Sequence, residues 1–283
     1  MISLLRHELR VHRGSTIGWA VGLGFFSVIY ILLYPNLPVE MREIDTRAIA
    51  FLDSLGIQTF ATFEGFILGT MFNFLPLLVG LFGVVTGISV LAGEEDEGTL
   101  ELLAALPISR LQLILTKAAA LFISAAAVMV IDGALATGVF MLLDLETPVT
   151  AWAMFRTVQS LWLIAFVFMT LSLFLGAYLP NRGVALGAGM TALFVSFFGE
   201  NLAGMAPVLE PLQPFLPHWY FENIMQMLIG DVAWQEMGIL FLIGVGFLFL
   251  AVLSFERRNL TVGAWPWQRP RVVASASSEA TID

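Results

Sequence analysis

The sequence predicts an all-α integral membrane protein with six transmembrane helices, an N-terminal surface helix, a short helix in a loop on one side and short re-entrant or surface helices on the other. Three observations predict it. Of 283 residues, 58% are hydrophobic and only 12% are charged, against about 25% charged in a soluble domain, and mean hydropathy is +0.88. Apolar runs long enough for a bilayer recur along the chain. Short polar stretches, most with proline or glycine, separate them. Cysteine is absent, so there is no disulfide framework and no thiol chemistry.

Residues Met1 to Arg13 are polar enough to lie outside the bilayer. Arg6, Arg10 and Arg13 share one helix face, with Leu4, Leu5 and Leu9 on the other side. The pattern fits a surface helix on anionic headgroups, and equally a plain basic flank to the first span. The chain is then uncharged from Gly14 to Val39. That run is too long for a signal peptide and is read as a retained span, about 16–34. Gly14, Gly18 and Gly22 form a small-residue stripe that permits close helix contact.

The loop that follows contains a helical pattern, with Ala48, Phe51, Leu52 and Leu55 on one face and Arg47, Asp53 and Ser54 off it. Span 2 covers about 66–91, with a kink expected at Pro76. Span 3, about 111–143, exceeds the ~20 residues that a bilayer requires, so its first turns, including Lys117, are expected to project into the cytoplasm. Span 4 runs about 152–179. A tight turn at Pro180-Asn181-Arg182-Gly183 leads to span 5, about 184–198. Pro207, Pro211, Pro214 and Pro217 preclude one long helix in the next stretch, where Trp219, Tyr220 and Trp234 suit an interface. Span 6 runs about 237–255. The tail from 261 to 283 is polar and is expected to be disordered.

Six spans put both termini on one side. Arg6, Arg10, Arg13, Arg110, Lys117, Arg182, Arg257, Arg258, Arg269 and Arg271 share it. Only Arg42, Arg47 and Arg156 fall opposite. Basic residues mark the cytoplasmic side, so the termini and the loop between spans 2 and 3 are expected there, and Asp45 and Glu222 outside. Formal charge is −9, and its placement matters more than its sum.

That loop is the densest polar feature. Glu94-Glu95-Asp96-Glu97 would be very costly in lipid, so it belongs in water. Thr99 can cap a short helix, Glu101 in its first turn meets the positive end of the dipole, and Pro107 stops it. Leu100, Leu103 and Leu106 form a narrow apolar ridge. Ser109-Arg110-Leu111-Gln112 reads as a capping box opening the next helix. Physics alone leaves two readings: a solvated loop with an incidental helical turn, or a surface shaped to dock on a protein.

Glu94-Glu95-Asp96-Glu97-Gly98-Thr99-Leu100-Glu101-Leu102-Leu103, followed by Leu106-Pro107-Ile108-Ser109-Arg110 and Lys117, resembles the cytoplasmic coupling-helix segment of type-2 ABC exporter permeases. Thr62-Phe63-Glu64-Gly65-Phe66, Pro214-Phe215 with Trp219-Tyr220, Gly230, Trp234 and the closing Phe255-Glu256-Arg257-Arg258-Asn259-Leu260 are also similar to that family. The usual closing pattern has Asp where Asn259 stands. The resemblance covers nearly the whole chain and implies one permease domain over residues 1–260. It implies that Glu94, Glu95, Glu97, Gly98, Thr99, Leu100, Glu101, Leu103, Leu106 and Pro107 bind an ABC ATP-binding subunit. It further implies a second permease subunit, identical or related, a substrate path lined by spans 1, 2 and 5, and residence in the cytoplasmic membrane. ATP and magnesium would belong to the partner, with no cofactor on this chain and no nucleic-acid partner.

The chain's own chemistry agrees with a non-enzymatic role. Its only lysine, Lys117, follows Thr116, so the Gly-Lys-[Ser/Thr] of a P-loop cannot exist. His7-Glu8 and His12 miss zincin spacing by one residue. No Gly-x-Ser-x-Gly elbow occurs. Asp132 is the one acid deep inside a span. It either lines a polar pathway or binds a cation, or it bonds a hydroxyl on a neighbouring helix and holds the bundle together. The expected function is the permease subunit of an ATP-driven exporter. The alternative is a non-transporting membrane scaffold or sensor that regulates an ATP-binding partner. Lipid, hydrophobic drug or peptide, and cation substrates all stay open.

The basic asymmetry generates a topology test. The chain has no cysteine of its own, so each introduced one reports alone. Cysteines at Asp45 and Glu222 should label from outside intact cells with an impermeant maleimide, and one at Asp96 should not. External labelling at Asp96 would overturn the six-span map.

Overall fold

The computed structural model describes residues 2–43, 59–93, 109–203 and 207–257. Within them the protein is helical: α1 (Ile2–Leu33), α2 (Val39–Arg42), α3 (Phe63–Gly69), α4 (Met71–Ile88), α5 (Arg110–Leu142), α6 (Ala151–Tyr178), α7 (Arg182–Ala203), α8 (Pro217–Met225) and α9 (Trp234–Arg257). Six helical stretches are long and apolar enough to cross a membrane, α3 and α4 together forming the second. The expected helix within 44–58, the loop 94–108 and the tail from 258 onward lie outside the described residues.

The expected separate N-terminal surface helix is instead the first third of α1, which runs unbroken for 32 residues. Nothing between Arg13 and Thr16 interrupts it, and the Thr16 hydroxyl donates to the His12 carbonyl four residues back at 3.0 Å. Arg6, Arg10 and Arg13 do form an exposed stripe. At 1.5 Å per residue α1 is ~48 Å long, well beyond the ~30 Å hydrocarbon core, so part of it extends past the lipid. Gly14, Gly18 and Gly22 are exposed, and among the described residues nothing packs on the stripe they form.

Span 2 is interrupted earlier than expected. The helix runs on through Pro76, while the interruption falls at Thr70, between α3 and α4. Pro76 lacks an N–H and crowds the turn before it. Thr70 has left helical geometry (φ −114°, ψ −74°), and its hydroxyl binds the Phe66 carbonyl. At the other end α4 passes into a π-turn, Ser89–Gly93, which no sequence pattern announced.

Local chemistry sets the other boundaries. The capping box at Ser109 is formed: Gln112 N–H donates to Ser109 Oγ at 3.1 Å, and Ser109 N–H donates to Gln112 Oε1 at 3.3 Å. Asn181 Oδ1 accepts from Val184 N–H at 2.9 Å and opens α7. α7 then runs past the expected end at 198, because the Asn201 amide donates to the Phe197 carbonyl within the helix. The proline-rich stretch becomes a 3-10 segment, Pro207–Phe215, followed by α8. α8 buries His218, Phe221 and Ile224 against the bundle. Arg156 of α6 fixes the turn after it, donating from Nη2 to the carbonyls of Met227 at 2.7 Å and Gly230.

α6 is the central helix. It touches α4, α5, α7, α8 and α9, and 78% of its apolar window is buried. The approach of α4 is the closest. A Cβ built on Gly83 would stand 3.0 Å from the Ala165 carbonyl oxygen, and one on Gly87 would stand 2.6 Å from that of Met169. Only hydrogen fits at Gly87, and at Gly83 a methyl would press on the α6 backbone. α1 packs outside this centre, mainly along α5.

This packing predicts opposite outcomes for two glycines. Gly87→Leu forces α4 off the α6 backbone, and overpacking of this kind costs about 1–3 kcal/mol or more. It should lower the thermal midpoint of the detergent-purified chain. Gly18→Ala meets nothing within 4 Å and replaces a poor helix former, a gain of up to about 1 kcal/mol. Its midpoint should hold or rise. A Gly87→Leu protein that melts with the parent would refute backbone contact between α4 and α6.

Candidate functional site

The candidate site is the polar seam between α1 and α5. Glu8 is the only acid in the first thirteen residues, and it faces away from the arginine stripe. Its neighbour on α5 is Lys117. The Lys117 Nζ lies 2.9 Å from Glu8 Oε1, with the two side chains 0% and 2% exposed. The first turns of α5, expected to project into the cytoplasm, do not leave the Lys117 side chain in solvent: it is enclosed between helices. The reason is that α1 continues as a helix alongside α5 and offers a carboxylate at the level the ammonium reaches. Nothing in the sequence paired Glu8 with Lys117. The available signal was a lone acid among basic and apolar residues, and a lone lysine.

One turn on, His12 Nε2 lies 3.7 Å from Glu8 Oε2. Beyond it is a cavity of about 10 Å³ lined by His12, Ser15, Thr16, Thr86 and Ser124 among others. Phe82, Leu121 and Met169 complete the lining, and the surface that faces this small gap is apolar. The seam thus passes from an ion pair to hydroxyl-bearing helix faces, with α4 closing one side.

Farther along lies Asp132, fully buried and facing Ser27 of α1, which is also fully buried. The hydroxyl on a neighbouring helix, one of the two readings of this acid, is in place. Neither carboxylate oxygen closes a hydrogen bond of good geometry with it. Asp132 stands ten residues before the end of α5, ~15 Å along the axis, about half the hydrocarbon thickness. Gln159 of α6 crosses nearby and donates to the Met129 carbonyl at 2.8 Å.

Of the residues singled out for partner binding, Glu94, Glu95, Glu97, Gly98, Thr99, Leu100, Glu101, Leu103, Leu106 and Pro107 lie outside the described residues. Their described flanks are the π-turn Ser89–Gly93 before and the capping box at Ser109 after. Lys117 follows that cap by about two helical turns. Arg6, Arg10 and Arg13 are exposed on the free side of α1. The structure brings none of these arginines to the seam.

In mechanical terms, α1 and α5 are tied by a buried charge pair. Breaking such a pair leaves an uncompensated charge, which costs about 3–5 kcal/mol. The pair therefore ties α1 to the start of α5. Span 2 differs, with an interruption at Thr70 and a π-turn at its end. Such irregularities are where helices bend.

No curated protein matches the sequence. A family model described as ABC-2 family transporter protein matches residues 2–260. That stretch contains all six apolar helices and the seam between α1 and α5. The chain is a multi-pass membrane protein and belongs to the ABC-2 transporter family, as one of its membrane permeases.

Proposed function

We propose that this chain is the permease subunit of an ATP-driven exporter in the cytoplasmic membrane, coupled to a separate ATP-binding subunit and paired with a second permease subunit. The observation that carries the reading is the family match over residues 2–260. The chain has no P-loop lysine, so the energy comes from another polypeptide. The segment from Glu94 to Pro107 is the contact with that partner. Leu100, Leu103 and Leu106 anchor it, and Glu94, Glu95 and Glu97 form its charged rim. Closure of the ATP-binding pair displaces this segment. The motion enters α5 at the Ser109 cap and reaches α1 through Glu8–Lys117. Span 2 bends at its π-turn and at Thr70. The protein supplies a two-state element, and the nucleotide-binding chain supplies the free-energy difference. Asp132 with Ser27 holds the centre of α1 against α5.

Partner contact is tested by co-purification of the ATP-binding chain at low and high salt. Buried anchors carry most interface energy, often about 2 kcal/mol or more each, whereas rim charges steer association and are screened. Leu103→Ala should lose the partner at every salt concentration. Reversal of Glu94 and Glu95 to Lys should slow assembly at low salt only. A Leu103→Ala protein with its partner and full transport would remove this segment from the mechanism. Partner ATPase stimulation without substrate movement in vesicles would favour the scaffold alternative.

The ion pair is tested by a double-mutant cycle. Glu8→Met or Lys117→Met alone removes one side of the pair and should lower folded yield, by about 3–5 kcal/mol. Changing both to Met removes the charges together and should restore the yield, since replacing a whole buried pair with apolar groups is often neutral. Single changes no worse than the double would show that the two residues are uncoupled.

A further inference from the structure

The outward face of α1 holds a groove that the coupling mechanism does not use. Side chains four residues apart on a helix form rows, with grooves between them. On α1 one such row reads Arg6, Arg10, Gly14, Gly18, Gly22 and Phe26. Its three glycines are exposed, and among the described residues nothing packs within 4 Å of a Cβ built on any of them. They make the row a trough. The neighbouring row, Ile17, Val21, Phe25 and Ile29, is exposed and forms one wall. Trp19 and Leu23 stand on the other side. The trough opens into an apolar cavity of about 270 Å³ lined by Trp19, Gly22, Leu23, Phe25, Phe26 and Leu78 of α4 among others.

The charges at its head point to a ligand. Arg10 and Arg6 continue the floor of the groove, Arg13 begins its exposed wall, and all three are exposed. The one acid among the first thirteen residues, Glu8, is turned the other way and holds Lys117. Among the described residues no acid forms an ion pair with the three guanidinium groups. The uncharged run of α1 starts at Gly14, directly after Arg13. Along the helix a cationic head therefore leads to a smooth trough and then to an aromatic-lined cavity. An anionic phospholipid has the matching order, with a phosphate that fits the guanidinium fork and an acyl chain behind it. The lengths agree. Arg10 and Gly22 are twelve residues apart, ~18 Å along the helix, against ~15 Å for one leaflet of a ~30 Å hydrocarbon core. The cavity is smaller than the ~300–1,000 Å³ of pockets that enclose compact ligands, and an extended chain needs less room.

We infer that this groove binds one anionic phospholipid of the leaflet on the arginine side. Its phosphate lies on Arg10 and Arg13, and one acyl chain runs along Gly14, Gly18 and Gly22 into the cavity at Phe25 and Phe26. A second copy of the chain is the competing occupant, since a glycine trough also admits a helix. Charge decides against it. Two copies inserted with the same topology and facing each other here would present the same surface. Arginine would meet arginine, and like charges oppose that pairing. A phosphate neutralises the same cluster. Basic residues draw anionic lipid to the membrane surface beside them, and the trough holds one molecule of that layer in place. The site requires only that the chain lies in a membrane, so it is independent of the transport reading.

The test uses the delipidated full-length chain, purified in detergent without a partner. Native mass spectrometry follows its titration with dioleoyl phosphatidylglycerol and, separately, with dioleoyl phosphatidylcholine. The two lipids have the same chains and differ in net charge. The expected result is one saturable site that prefers phosphatidylglycerol. Arg10→Gln and Arg13→Gln should each weaken phosphatidylglycerol binding roughly fivefold, the effect of one basic residue at an anionic surface, and leave phosphatidylcholine unchanged. Gly22→Leu fills the trough at a place where a Cβ meets nothing, and should remove the saturable site for both lipids. Arg257→Gln, which changes an exposed basic residue at the end of α9, should bind like the parent. Circular dichroism checks that each variant is folded. The arginine variants change only exposed side chains, so they carry the test if Gly22→Leu does not fold. Equal affinity of the parent for the two lipids would overturn the site. So would parental binding in both arginine variants, or an equal loss in Arg257→Gln. A Gly22→Leu chain that loses a dimer yet keeps phosphatidylglycerol binding would also overturn it, and would assign the groove to a second copy.

Discussion

Two helices already in lipid gain little by burying apolar surface, because the acyl chains are as apolar as leucine. Their association rests on close approach and on polar contacts made across the interface. In this protein close approach is concentrated where α4 meets α6. Gly83 and Gly87 let the α4 backbone reach the carbonyls of Ala165 and Met169. α6 in turn receives α5, α7, α8 and α9. A side chain at Gly87 would displace α4, and with it the entry to the loop expected to meet the partner.

Polar contacts then fix how the outer helices are placed. Glu8 and Lys117 set the register of α1 on α5 at one end, and Ser27 faces Asp132 deeper in. At the other end Arg156 holds the turn after α8, and the Ser196–His218 contact holds its start against α7. Each is costly to leave unmet in a low-dielectric interior. They therefore select one arrangement among the many that apolar helix faces alone would accept.

The same economy shapes the functional reading. A helix pair locked by a buried ion pair transmits displacement without bending, whereas a span with an interruption at Thr70 and a π-turn at Ser89–Gly93 can absorb it. The stiff and compliant elements flank the same loop, which is the arrangement a mechanical coupler requires. The ABC-2 family match and this distribution of stiffness are independent kinds of support for one reading.

Much of the fold was legible in the sequence because its causes are local or arise from the solvent. Lipid demands long apolar helices, so the six spans follow from the runs between polar clusters. The Ser109 capping box follows from four adjacent residues. The family is legible in motifs spread from Thr62 to Leu260. What only the tertiary structure decided concerns partners distant in sequence. A lysine beside a span end is free or enclosed according to what the neighbouring helix presents, and Glu8 lies 109 residues from Lys117. The same holds for Ser196 and His218, which meet only because α8 folds back onto α7. The π-turn Ser89–Gly93 likewise lies where α4 packs on α6. Hydropathy records how much a residue dislikes water, and it carries no term for which side chain waits across the interface.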